Sequence, residues 1–202
     1  MARPANPNLR DALIEAGRTE FAERGLEQAR IEDMTRRAGA SKGAFYLHFE
    51  SKEQLFEHIA YAFVDQVLQQ LGAHQKTVCC GETLDDTFVS RAVEADTATM
   101  RLLWEQRGTF RMLMEGGSPS HLRARESLVQ GLYDYFLATS QNGVPGVEPR
   151  IDRDSFALFV TGAILMNIWR MGRQAEPPDF RRSAWNLARL MAGGLFSPDV
   201  SA

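Results

Sequence analysis

The chain has 202 residues, 44% of them hydrophobic and 24% charged, with a formal net charge of −3. That composition can build a sizeable core, and the charge excludes a molecule that binds nucleic acid over its whole surface, so affinity for phosphate has to come from a local patch. The opening residues MARPANPNLRD lack the apolar core of a signal peptide, and the longest nearly uncharged apolar stretch, Phe156 to Trp169, is too short to span a bilayer. The expectation is a cytoplasmic protein with no membrane association. Two adjacent cysteines, Cys79 and Cys80, make no disulfide framework.

Helical periodicity dominates. Leu9, Leu13, Gly17 and Phe21 lie on one stripe, with Asn8 as the expected N-cap and Gly25 as the stop. Ile31, Met34 and Ala38 give the inward face of a short second helix, broken at Gly39. Ser41 caps a third helix of about two turns, whose Phe45 and Phe49 point the same way. Ser51-Lys52-Glu53-Gln54 is a capping box that opens a long fourth helix with the stripe Leu55/Phe56, Ile59, Phe63, Val67 and Leu71. Breaks at 72–83, near Gln106–Gly108, at 116–120, at 141–150 and at 175–179 separate further helices over roughly 84–114, 120–141, 153–173 and 179–195. There is no strand-like alternation and no tandem repeat. The predicted fold is all-α with about nine helices: an N-terminal three-helix helix-turn-helix domain over residues 1–50 and a C-terminal helical effector-binding and dimerisation domain over residues 51–202.

A helix that enters the major groove needs a short exposed element held rigidly by a second helix. Ala38-Gly39-Ala40-Ser41 supplies such a turn: Gly39 accepts a backbone conformation that a side chain resists, and Ser41 satisfies free amides at the next helix start and can face a phosphate. Gly43 allows close approach of backbone to DNA. Residues 36–52 carry Arg36, Arg37, Lys42 and Lys52 against Glu50, a local charge of +3, while residues 1–60 carry 9 basic and 10 acidic side chains. Positive charge is therefore expected on one edge of a nearly neutral module.

The longer pattern Gly39, Ser41, Lys42, Gly43, Tyr46, His48, Phe49, Lys52, Glu53 and Leu55 resembles the N-terminal signature of the TetR (tetracycline-repressor) family of bacterial transcription regulators. The resemblance covers about residues 8–56. It implies that Lys42, Gly43 and Ala44 sit at or near base edges, that Tyr46, His48 and Lys52 contact phosphates, and that Phe49 and Leu55 are core. Arg30 stands where a threonine commonly caps the second helix and touches phosphate, and an arginine can still reach one. Ala40 replaces the usual valine and Thr35 the usual alanine. The candidate DNA-binding residues are thus Arg30, Ser41, Lys42, Gly43, Ala44, Tyr46, His48 and Lys52. With Ala44 and Leu47 unable to hydrogen-bond bases, specificity leans on Lys42, methyl contacts and DNA shape.

Residues 99–115 mix Trp104, Phe110, Met112 and Met114 with Glu105, Arg107 and Arg111. Ordinary core accounts for this pattern; so does the wall of a ligand cavity, mostly apolar with a few convergent polar groups. The candidate effector site is Trp104, Arg107, Phe110 and Met114, completed by Phe136, Met166, Asn167 and Arg170. The last two helices are apolar around most of their circumference, which predicts burial against a second subunit; the family resemblance implies the same dimer, with its recognition helices about 34–36 Å apart on a palindromic operator. No catalytic constellation, cofactor or metal site stands out. The reading is a non-enzymatic, sequence-specific DNA-binding regulator, a repressor released from double-stranded DNA by a small-molecule effector the sequence does not name. Two readings remain beside it: a redox- or metal-responsive regulator using Cys79 and Cys80, and a helical small-molecule-binding protein with a purely structural hairpin.

Overall fold

The structure, a computed structural model, describes residues 7–78, 86–140 and 152–193. Among the described residues there are nine helices and no strand: α1 (Pro7–Gln28), α2 (Ile31–Arg37), α3 (Lys42–Tyr46), α4 (Lys52–Val78), α5 (Asp86–Glu105), α6 (Arg107–Glu115), α7 (Pro119–Thr139), α8 (Arg153–Met171) and α9 (Phe180–Gly193). The all-α prediction holds. None of these helices is long and apolar enough to cross a membrane.

Local signals explain most boundaries. Gly25 (φ 72°) and Gly39 (φ 64°) are the two positive-φ residues among those described, and both stand where the chain has to reverse at the end of a helix. One helix start differs from expectation. α1 opens at Pro7, ahead of Asn8, because proline's fixed φ and missing N–H suit a first helical position. Gly25 stops the first helical run as expected, its φ 72° and ψ 166° being non-helical; a separate short turn to Gln28 follows and buries Leu26. α3 has five residues, shorter than two turns, and Ser41 Oγ accepts from the Ala44 amide at 3.1 Å. At α4, Ser51 Oγ accepts from the Gln54 amide at 3.1 Å, while the Gln54 side chain accepts from the amide of Glu50, not of Ser51, at 2.7 Å. The box therefore closes one residue upstream of its usual form.

The described helices fall into two compact units, Met1–Val64 with Gly108–Ser127, and Asp65–Arg107 with Leu128–Ala202. In the first unit, Leu13, Phe21, Met34, Phe45, Leu55, Phe56, Ile59 and Phe63 are buried. Phe21 meets Phe56 edge-on at 5.6 Å, Phe45 meets Phe49 at 5.8 Å and Phe63 meets Phe110 at 6.3 Å, so aromatic pairs join α1 to α4 and α4 to α6 and brace the end of α3. Gly17 lets α1 sit on α4: a Cβ there would fall 2.7 Å from Leu55 Cδ2.

Residues 108–127 are tied into this unit by polar contacts as well. Arg18 Nη1 donates to Thr109 Oγ1 at 3.2 Å, and Arg111 Nη2 to the Ala22 carbonyl at 3.2 Å. Glu57 accepts from Ser120 Oγ at 2.8 Å and from Arg123, and these two donors hold its carboxyl below the ordinary carboxylate range. In the second unit, α5 packs against α8 and α9, with Val93, Met100 and Ala184 at the contact. Asp152 caps α8 by accepting from the Ser155 amide at 2.9 Å.

Candidate nucleic-acid interface

The turn between α2 and α3 sorts the side chains of residues 41–49 into two sets. Phe45 and Phe49 point into the unit and are buried, while Ser41, Lys42, Gly43, Tyr46 and Leu47 are exposed and Ala44 is half-buried. The exposed set forms the outer face of α3 and its flanks, the geometry an element needs if it is to enter a groove while its other side is anchored.

The electrostatics differ from a sum along the sequence. Lys42 Nζ lies 2.6 Å from Glu32 Oε1. Arg36 pairs with Asp33 at 2.8 Å, and Arg37 with Glu23 at 2.5 Å and with Glu20 at 3.5 Å. Arg24 pairs with Asp33 at 3.1 Å and with Glu20 at 3.3 Å. Four cations thus face four carboxylates, and α1 and α2 supply those carboxylates from outside the 36–52 window. The local excess of positive charge moves to the α1–α2 junction. There Arg30, the exposed N-cap residue of α2, makes no side-chain capping bond and no ion pair among the described residues. Beside it the Lys52 ammonium donates to the carbonyls of Glu27 at 2.9 Å and Ala29 at 3.1 Å. An ammonium has three donors, so one remains for an anion outside. His48 is half-buried, and its Nε2 is shielded without a hydrogen-bond partner among the described residues.

Residues 13–59 match the family model described as "Bacterial regulatory proteins, tetR family". Over this segment the chain is similar to the DNA-binding part of that family. Over 63 residues the chain is 40% identical to the HTH-type transcriptional repressor KstR2 of Mycolicibacterium smegmatis (31% of each chain), and over 86 residues it is 40% identical to the repressor DhaR of Mycobacterium sp. (42% of this chain, 38% of that one). The matched segments span about a third of these relatives' own lengths. The fold extends further: the crystal structure of NalD, described as the secondary repressor of the MexAB-OprM multidrug efflux pump in Pseudomonas aeruginosa, superposes with a TM-score of 0.69 at 19% identity, covering 95% of this chain and 98% of that one.

Of the eight expected effector residues, the structure brings Trp104 and Arg107 together: the guanidinium lies 4.3 Å from the indole centroid and donates to the Trp104 carbonyl at 2.9 Å. Trp104 also meets Phe180 at 6.4 Å. In the first unit Phe110 is buried against Phe63, and Met114 is half-buried, its carbonyl accepting from Arg125 at 2.9 Å. Phe136 is half-buried on α7 beside Tyr135. Met166, Asn167 and Arg170 face outward on α8, where Asn167 donates to the Ala163 carbonyl at 2.9 Å.

A groove of about 350 Å³ in the second unit is lined instead by Gln70, Val93, Thr97, Arg101, Glu105, Arg181 and three neighbours. That unit also holds two polar groups the sequence pattern had not singled out. Thr161 Oγ1 is buried with no hydrogen-bond partner among the described residues, and burial lifts the Asp96 carboxyl to about 7. Both are short side chains inside helical stripes, and no spacing rule marks them. Cys79 and Cys80 lie outside the described residues, and those described contain no cluster of three or more metal-ligating side chains.

Proposed function

We propose that the chain is a homodimeric transcription regulator that binds a palindromic operator through α3 and its flanks and is released by a small-molecule effector, acting as a repressor as KstR2 and DhaR are named to do. The observation that carries the DNA-binding reading is the two-sided α3: Phe45 and Phe49 buried, Lys42, Gly43 and Tyr46 presented outward. Arg30, Lys52, Tyr46, Ser41 and His48 take phosphates and position the module; Lys42, Gly43 and Ala44 face base edges. We infer from DNA binding of this kind that the protein acts in the cytoplasm.

Dimerisation is supported by α8 and α9, which leave Leu158, Phe159, Met166, Trp169 and Trp185 exposed. Large apolar side chains crowded on two helices mark an interaction surface, and Met166, Asn167 and Arg170 go with it. The effector is assigned to the second unit, where Trp104 and Arg107 stack at 4.3 Å.

The test is a titration of duplexes from the region upstream of the protein's own gene against random duplex, at several salt concentrations. Preference for a palindrome, with log affinity falling linearly in log salt, is the expected result; equal affinity for random DNA defeats the reading.

A further inference from the structure

The cation on the exposed face of α3 is already engaged. Lys42 Nζ and Glu32 Oε1 are 2.6 Å apart, and each side chain is 55% exposed. The turn at Gly39 folds the start of α3 back beside the start of α2, so two residues ten apart in sequence present a donor and an acceptor side by side. Each stabilises the other's charged form: the Lys42 contact holds the Glu32 carboxyl low, and the Glu32 contact holds the Lys42 ammonium high.

The neighbouring pairs have a different character. Asp33 serves both Arg24 and Arg36, and the fully buried Glu20 serves both Arg24 and Arg37, so those carboxylates tie α1 to α2. Lys42–Glu32 has one cation, one anion, no buried member and no third partner among the ion pairs. Such a pair contributes little to folding. Its weight falls on whatever approaches the outer face.

We infer that Glu32 and Lys42 act as one reading device for a G·C base pair. The inference rests on the DNA-binding reading above and adds to it a specificity-determining residue, Glu32, on the helix that precedes α3. In the major groove a G·C pair presents two acceptors, guanine N7 and O6, next to one donor, the cytosine N4 amino group. O6 and N4 of one pair are themselves hydrogen-bonded at about 2.9 Å, close to the spacing of the Lys42 and Glu32 polar atoms. Lys42 donates to O6 and N7, while Glu32 accepts the second N4 hydrogen.

Neither charge is then left unpaired when the side chains turn from each other to the DNA. An A·T pair with adenine in the place of guanine sets Glu32 against the thymine O4 acceptor or methyl group; the reversed pair gives Glu32 the adenine N6 amino group but gives Lys42 only O4, with no N7 beside it. A phosphate can take Lys42 only by stranding Glu32 beside a polyanion, so the pair adds nothing to indiscriminate binding.

The experiment selects half-sites from a random duplex pool with the full-length wild type, Glu32→Ala and Lys42→Ala, then measures binding to the selected duplex and to random duplex. The expected result is one G·C position in the wild-type half-site whose preference, about tenfold, disappears in both variants. Glu32→Ala is expected to bind random duplex more tightly than wild type, because a like charge is gone.

A second arm uses wild-type protein on the selected duplex with 7-deazaguanine or N4-methylcytosine at that position. Each analogue should weaken binding about tenfold, and N4-methylcytosine should have no effect on Glu32→Ala. The inference is overturned if the two variants lose preference at different positions, if Glu32→Ala tightens every duplex equally, or if N4-methylcytosine leaves wild-type affinity intact. If the wild type enriches no sequence, the DNA-binding reading itself has failed.

Discussion

The ammonium of Lys52, at the start of α4, donates to the main-chain carbonyl of Ala29 across the α1–α2 junction at 3.1 Å. Together with its bond to the Glu27 carbonyl, this gives one side chain two duties, holding the junction and offering its third hydrogen to a phosphate. Lys52→Ala should weaken binding to all duplexes alike, make the salt slope shallower by about one and lower stability by about 1 kcal/mol. Filter binding across salt concentrations and a urea melt read the two effects separately. Loss at one base pair only, or unchanged stability, contradicts this double role.

Glu20 is fully buried (0% exposed), and its partners Arg24 and Arg37 approach only to 3.3 and 3.5 Å. A carboxylate with distant partners and no short hydrogen bond is costly to bury, and an apolar replacement of similar size is often neutral or favourable. Glu20→Leu should therefore hold or raise stability, by up to about 3 kcal/mol. Arg24→Ala/Arg37→Ala, which leaves Glu20 uncompensated, should cost at least about 2 kcal/mol. Urea midpoints decide; a strongly destabilised Glu20→Leu would mean the carboxylate is needed.

Acid should loosen the first unit. His121 is buried with its ring 4.4 Å from Phe56 and its Nδ1 2.6 Å from Ser118 Oγ. Burial, aided by Arg125 and opposed by Glu27, lowers its pKa below the usual 6.5. His58 shifts the same way, through burial and then Arg10 and Arg18. The unfolded chain then takes up protons that the folded chain refuses, so stability is lost as pH falls below about 6.5. Urea midpoints at about pH 7.5, 6.5 and 5.5 should decline, and His121→Gln should decline less. Identical slopes for the variant and wild type would remove His121 from this account.

Phe159 and Trp169 stand exposed on α8. If they seat a second copy, Phe159→Asp and Trp169→Asp should convert a particle of twice the 22.7 kDa chain mass into a monomer with weakened affinity for a palindrome and nearly unchanged affinity for a half-site. Sedimentation velocity distinguishes the outcomes; a wild type that is monomeric at micromolar concentration ends the dimer reading.

Much of this was legible in advance because it is local. Gly39, Ser41 and the Ser51–Gln54 box act on backbone groups within four residues, so spacing alone located the turn and two helix starts. The apolar stripe from Leu55 to Leu71 named core residues correctly for the same reason. The charge pattern was not legible as a whole, because Asp33 reaches Arg24, Glu20 and Glu23 reach Arg37, and Glu32 reaches Lys42 only through the packing of α1, α2 and α3; a window from 36 to 52 leaves out all four carboxylates. The outward position of Met166 and Asn167 was equally hidden, since an apolar helix with two polar residues reads alike whether those residues face a cavity or solvent.

Residues 108–127 fold with residues up to Val64, through Phe110 on Phe63, Ser120 and Arg123 on Glu57, and Arg111 on the Ala22 carbonyl. The reading head is therefore discontinuous along the polypeptide. A graft that moves only the first fifty or sixty residues onto a foreign sensor would leave these side chains facing strangers. Chimeras between relatives would need to exchange both segments together, and homologous recombination at a single crossover would tend to separate what folding joins.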